Sequence, residues 1–356
     1  MTLKQITTKL MVAVFACAMT TTGMAVDNVG FVYVSPIGDA GWTYQHDLGR
    51  LQLEKETGVS TSYVENVAEG PDAERVIREM AKRGDKVIFA TSFGFMNYAL
   101  KVSKSFPKTA FVHATGYKMG KNMGLINARF YEGRYLTGVI AGEMTKTNVL
   151  GYVAAFPIPE VLQGINAFIK GARSVNPNAE VRVIWVNSWY DPGKEREAAL
   201  TLLSQDADVI THHTDSTAVV QAAEEKGKYA FGYHSDMSKY GPNAHLTATT
   251  HHWGDFYVKT VKAAQAGNWQ PENVWGGYAD GMVKLAPLNK KVISDNLADR
   301  IYAMELQMER GTLHPFDGPV VDQSGKEIVP AGQTMTDDQL NQMNYYLEGV
   351  VSKFPS

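Results

Sequence analysis

Six short segments concentrate side chains able to stack on a flat ligand or exchange hydrogen bonds with it. They are Gly41-Trp42-Thr43-Tyr44, Ser92-Phe93-Gly94-Phe95, Phe156-Pro157, Asn187-Ser188-Trp189-Tyr190-Asp191, His212-His213-Thr214-Asp215 and Gly232-Tyr233-His234-Ser235-Asp236. Aromatic faces mixed with a few carboxylates and amides suit a planar, nitrogen-rich heterocycle. The rings stack on it, each contributing roughly 1–3 kcal/mol, and the Asp oxygens accept its N–H groups. A single ring at the end of a strand ordinarily caps the core. Recurrence in segment after segment points to a binding site.

Nucleophilic catalysis finds little support. The only cysteine, Cys17, lies in an N-terminal apolar run, and the chain has no Gly-x-Ser-x-Gly elbow, Walker loop or strand-borne Gly-x-Gly-x-x-Gly. Asp215 and Asp236 could act as a catalytic carboxylate pair in a hydrolase of N-glycosides, and this is the enzymatic rival. The histidines His212-His213, His234, His245 and His251-His252 suggest metal ligands, but adjacent histidines on a strand point to opposite faces, and no His-Glu-x-x-His pattern accompanies them. Neither a metal nor a cofactor is expected.

The elements that must position these residues alternate regularly. A β-branched and aromatic run, Val29 to Val34, reads as a buried parallel strand and is followed by a loop. Then come a helix over Leu48–Glu56, a strand over Thr61–Val64, a helix over Pro71–Arg83, a strand over Val87–Ala90, a helix over Asn97–Ser105 and a strand over Ala110–Ala114. After a helix over Glu132–Met144, a second series begins with strand Leu150–Ala154. It continues through helix Pro159–Ser174, strand Val181–Val186, helix Gly193–Gln205, strand Val209–His212, helix Ala218–Lys226 and strand Tyr229–Tyr233. Helices around Asp255–Ala266 and Lys290–Glu309 flank a strand around Met282–Ala286, ahead of a turn-rich tail. Two consecutive α/β series predict two similar lobes, 26–146 with part of 250–290 and 147–249 with part of 290–356. In such sheets ligands sit beyond the carboxyl ends of the strands, where the six segments fall.

The N-terminus carries Lys4 and Lys9, the apolar run Leu10 to Met19, and Gly23-Met24-Ala25, the order of a secretory signal peptide over residues 1–25. Cleavage after Ala25 is expected, with lipidation at Cys17 the less favoured outcome because Phe15 fits a lipobox poorly. A formal charge of −3, with no long basic run, gives no support for nucleic-acid binding. The mature chain is expected to be a soluble periplasmic monomer.

Longer motifs carry a resemblance to a family. Gly38 to Asp47 (GDAGWTYQHD), Tyr131 to Gly138 (YEGRYLTG), Asn187 to Glu195 (NSWYDPGKE), His212 to Ser216 and Gly232 to Asp236 occur in the order seen in the basic membrane protein family of ABC-transporter substrate-binding proteins. Characterised members of that family include purine nucleoside receptors. The resemblance implies a type I periplasmic-binding fold: two Rossmann-like lobes joined by three crossovers that close on ligand by a hinge motion. It also implies delivery to permease subunits in the inner membrane. Members that bind nucleosides sandwich the base between aromatics that match Trp42 and Trp189, and their ribose-contacting aspartate matches Asp236. Two departures shift the expected ligand. Gly-Trp-Thr-Tyr-Gln replaces the usual Ser-Phe-Asn-Gln, and His251 stands where nucleoside binders keep a lysine. A purine base, adenine-like, thus becomes at least as good a candidate as a nucleoside. The remaining candidate contacts are Asp215, Phe156, Phe93, Asn187, Tyr44 and His251.

Overall fold

The computed structural model describes residues 28–355. The basic and apolar N-terminal segment, with Cys17 and the expected cleavage site, lies outside the described residues. The chain opens with strand β1 (Asn28–Tyr33), whose residues from Val29 onward are all buried, as expected of a strand covered on both faces. It continues through helix α1 (Trp42–Thr57), β2 (Ser60–Val64), α2 (Pro71–Arg83), β3 (Val87–Thr91), α3 (Met96–Ser103), β4 (Ala110–Ala114) and β5 (Met123–Ala128). Helix α4 (Phe130–Met144) then leads into a second series: β6 (Val149–Ala154), α5 (Pro159–Arg173), β7 (Glu180–Trp185), α6 (Pro192–Ser204), β8 (Val209–His213), α7 (Ala218–Glu225), β9 (Tyr229–His234) and β10 (His245–His251). Next come α8 (Gly254–Gln265), β11 (Asn273–Gly276), β12 (Val283–Leu285) and α9 (Asp295–Glu309).

Two six-stranded sheets result, ordered β11-β5-β4-β3-β1-β2 and β12-β10-β9-β8-β6-β7. The first is parallel throughout, and the second is parallel except for its edge strand β12. Side chains alternate across each sheet. Val29, Phe31, Val87 and Phe89 pack under α1 and α8, while Val32, Ile88 and Ala90 meet Val76, Ile77 and Met80 of α2 on the other face. The second sheet is built likewise, with α4 and α5 on one side and α6 and α7 on the other. The chain crosses between lobes three times: through α4, through the segment containing α8, and between β11 and β12. These are the α/β architecture and triple crossover expected of a type I periplasmic-binding fold.

Strands β5, β10 and β11 escape the sequence reading. Strand β10 (HLTATTH) is polar, yet all seven residues are buried, because Thr247 and Thr250 donate their hydroxyls to the carbonyls of Ala286 and Lys284. Strand β5 carries Gly124, which lets the Glu272 backbone approach from the chain leading into β11. The first turn of α1 also occupies Trp42 to Tyr44, a stretch that reads as loop.

Helices α4 and α5 cross closely because glycines face each other. A Cβ at Gly138 would overlap the Phe168 carbonyl oxygen, and one at Gly171 the Tyr135 carbonyl oxygen. In an open helix Gly→Ala gains about 0.5–1 kcal/mol. Here the sign reverses, and Gly138→Ala is expected to cost about 1–3 kcal/mol by overpacking, read as a lower urea midpoint. An unchanged or higher midpoint would mean that the two helices can separate freely.

Candidate ligand-binding site

Each sheet reverses its winding at one point, between β1 and β3 in the first lobe and between β6 and β8 in the second. Open α/β sheets bind ligands beyond the strand ends at such points. A cavity lies there, walled by both lobes. The first lobe supplies Val34, Trp42, Ser92, Phe93 and Thr115, and the second Glu160, Trp189, His213, Asp215 and His234. Every one of them sits at a strand end, just beyond it, or in the first turn of the helix that follows.

The two tryptophans reach the cavity differently. Trp42 is 7% exposed and donates its indole N–H to the Thr91 carbonyl (2.7 Å). Its ring meets those of His46, His234 and Trp253 edge-on, so the side chain belongs to the core as well as to the cavity wall. Trp189 is only partly buried. It rests against Phe156 at 4.9 Å between centroids and donates its N–H to Glu69 Oε1 (3.1 Å) across the cleft. Glu69 also accepts from the Ser92 hydroxyl and the Gly94 amide, which fixes the loop bearing Phe93.

Four ionisable groups line the cavity, and burial pushes each toward its neutral form. Glu160 is pushed up to about 8. Asp215 is raised well above the ordinary carboxylate range by burial, with Glu195 and Glu69 adding and the Ser35 hydroxyl opposing. His213 and His234 are driven well below the ordinary imidazole value, by burial first and then by Arg134 and His251 respectively. His234 Nδ1 lies 2.9 Å from His251 Nδ1, so one ring donates and the other accepts. Thr115 and His234 both hold a positive φ of 65°, costly for residues with a Cβ and concentrated where the backbone turns at the cavity wall.

The lobes touch directly around this site. Gly41 N–H donates to Ser235 Oγ (2.8 Å), the Gln45 amide to the His234 carbonyl (2.9 Å), and Lys239 pairs with Asp39 (2.5 Å). This is a closed arrangement.

Of the residues singled out from sequence, Trp42, Phe93, Trp189 and Asp215 meet in the cavity, with Phe156 behind Trp189. Asp236 and Tyr44 do not join them. They border a separate open depression with Lys239, Thr250 and Lys284, where Asp236 accepts from the Ser238 amide in a local turn. Asp215 and Asp236 therefore do not face one reaction centre. Asn187 is exposed at a left-handed turn, and His251 is fully buried behind His234. Sequence reasoning missed Glu160, Thr115 and Glu69, and it placed Ser92, His213 and His234 in ligand-side segments without choosing them as contacts. Among the described residues no group of three His, Cys, Asp or Glu side chains could hold a metal ion, and no helix is long and apolar enough to cross a membrane.

Comparison with known proteins matches residues 26–311 to a family described as ABC transporter substrate-binding protein PnrA-like. A purine-binding protein of Brucella abortus is 50% identical over 330 residues, spanning 92% of this chain and 94% of that protein. A putative ABC transporter glucose-binding protein of Haloferax volcanii is 38% identical, spanning 92% of this chain and 81% of that protein. Among solved structures, an ABC transporter solute-binding protein of Aeropyrum pernix superposes with a TM-score of 0.71 at 16% identity, over 81% of this chain and 92% of that one. That last likeness concerns the fold.

Proposed function

We propose that this chain, which belongs to the Bmp family of PnrA-like ABC transporter substrate-binding proteins, binds a neutral purine base, adenine-like, between its lobes. Family membership makes it a carrier that binds a ligand and delivers it to permease components, and not an enzyme. The N-terminal basic and apolar segment supports export to the periplasm as the place where it does so.

One observation carries the choice of ligand: a cavity walled by Trp42, Phe93 and Trp189, in which burial pushes every ionisable lining group toward its neutral form. An ionic ligand would lose its hydration there without gaining a counter-charge. Trp189 supplies one stacking face from the second lobe, with Trp42 and Phe93 opposite. The name of the Brucella relative supports the same class, whereas that of the Haloferax relative points to a sugar. A hexose needs hydrogen bonds all around its ring, and three of the ten lining residues here are large aromatics.

Calorimetry against adenine, hypoxanthine, guanine, their nucleosides and glucose, with chromatography of the incubated ligands, tests this reading. Saturable binding of a free base with no product formed is the expected result. Glucose binding without purine binding, or release of base from nucleosides, would overturn it.

A further inference from the structure

Stacking leaves one cavity wall without a role. Glu160 follows Pro159 in the first turn of α5, with a side chain only 12% exposed. Its Oε1 lies 3.5 Å from His213 Nε2, and among the described residues its buried Oε2 has no hydrogen-bond partner. The groups around it come from several elements: His213 and Tyr233 from β8 and β9, Arg134 from α4, and Asp215 and His234 across the cavity. Arg134 is the cation of this set, but its guanidinium is turned to Thr211 Oγ1 and the His212 carbonyl and lies 3.5 Å over the Tyr233 ring. It forms no ion pair with Glu160 among the described residues. A buried carboxyl beside a neutral imidazole, one oxygen unsatisfied and bordering a cavity, is arranged to bond something that enters.

We propose that Glu160 is the specificity-determining group of the cavity, presenting a carboxyl O–H donor and a C=O acceptor side by side to a heterocycle edge that offers the reverse pair. This rests on the reading that the cavity takes a purine base. In adenine the edge is a ring nitrogen that accepts from the O–H, next to an exocyclic amino group that donates to the C=O. The carbonyl and N–H of hypoxanthine supply the same complement. Guanine carries that same carbonyl and N–H pair, whereas an edge that keeps the ring nitrogen but lacks the amino donor, such as that of N6,N6-dimethyladenine, leaves the C=O unpaired and is rejected. Burial supports the arrangement, since it holds Glu160 protonated up to about pH 8.

The test is adenine affinity of wild type, Glu160→Gln and Glu160→Leu by calorimetry between pH 6 and 9.5, with N6,N6-dimethyladenine as the contrasting base. Leucine keeps the volume and removes both hydrogen bonds, so affinity falls by roughly 30-fold or more. Glutamine restores an acceptor and a donor and recovers most of that loss. Wild-type affinity declines about tenfold per pH unit above about pH 8 as the carboxyl ionises, and Glu160→Gln lacks this decline. The inference is overturned if Glu160→Leu binds adenine as wild type does, or if Glu160→Gln declines as steeply at alkaline pH, which would assign the titration to Asp215. Absence of any purine binding by wild type overturns instead the reading of the cavity itself, and this inference with it.

Discussion

Replacing Trp189 by alanine lowers ligand affinity about five- to 150-fold, and the ligand-free protein melts close to the wild-type temperature. Trp42→Ala lowers both quantities. The contrast follows from what each ring touches without ligand. Trp189 is partly exposed and leans on Phe156 and the exposed Glu69 carboxylate, so its removal costs mainly the stacking face, roughly 1–3 kcal/mol. Trp42 is 7% exposed, wedged among His46, His234 and Trp253, with its N–H on the Thr91 carbonyl. Truncating a buried Trp leaves a cavity and costs about 3–5 kcal/mol of stability. Thermal melts of the ligand-free variants beside binding isotherms separate the two effects. Equal melting temperatures for the two variants would contradict the structural division, and unchanged affinity in Trp189→Ala would remove it from the site.

That division was only half legible in the sequence. Both tryptophans follow strands, and the motifs around them carry the family resemblance, so their presence in the cleft could be expected. What cannot be read from sequence is that α1 begins at Trp42: Gly41 offers no side-chain cap, and a Trp-Thr-Tyr run is a weak helix signal. The helix turns that indole inward, and the residue becomes core and wall at once. The alternation of strands and helices was legible wherever apolar runs were continuous, as in β1, β4 and β6. It failed at β10, where Thr247 and His251 find hydrogen-bond partners in residues distant in sequence, Ala286 and His234.

The acidic residues divide in the same way. Asp236 looks like a ligand contact because it ends a motif after a strand, but the backbone turns at His234 with a φ of 65°, and Asp236 faces the other side of the loop. Glu160 gave no motif. Its place depends on the first turn of α5, which follows β6, lying beside the end of β8, because β6 pairs with β8.

The meeting of the two lobes sets the strongest expected effect on closure. Gly41 adopts a φ of +97°, and a Cβ there would overlap the carbonyl oxygen of Asp215 in the opposite lobe. Gly41→Ala therefore penalises the closed form alone, since the overlap vanishes when the lobes part. A ligand enclosed by both lobes stabilises closure only by its differential affinity, so each 1.4 kcal/mol of penalty weakens binding about tenfold. A penalty of about 3 kcal/mol predicts roughly a 150-fold loss, and the ligand-bound variant keeps the larger radius of gyration of an open form in X-ray scattering. Part of any loss could come from forcing alanine into a left-handed backbone. Gly38→Ala controls for a side chain at positive φ in the same turn: its φ is +55° and no atom lies within 4 Å of the added carbon. The steeper strain of Gly41's own backbone (φ 97°, ψ −166°) is present with the lobes open or closed and is read as a lower melting temperature of the ligand-free variant. Affinity should drop steeply in Gly41→Ala and little in Gly38→Ala. If both variants bind and compact like wild type, the Gly41–Asp215 contact does not govern closure. If both fail alike, the loss lies in the turn between β1 and α1 and not in the meeting of the lobes.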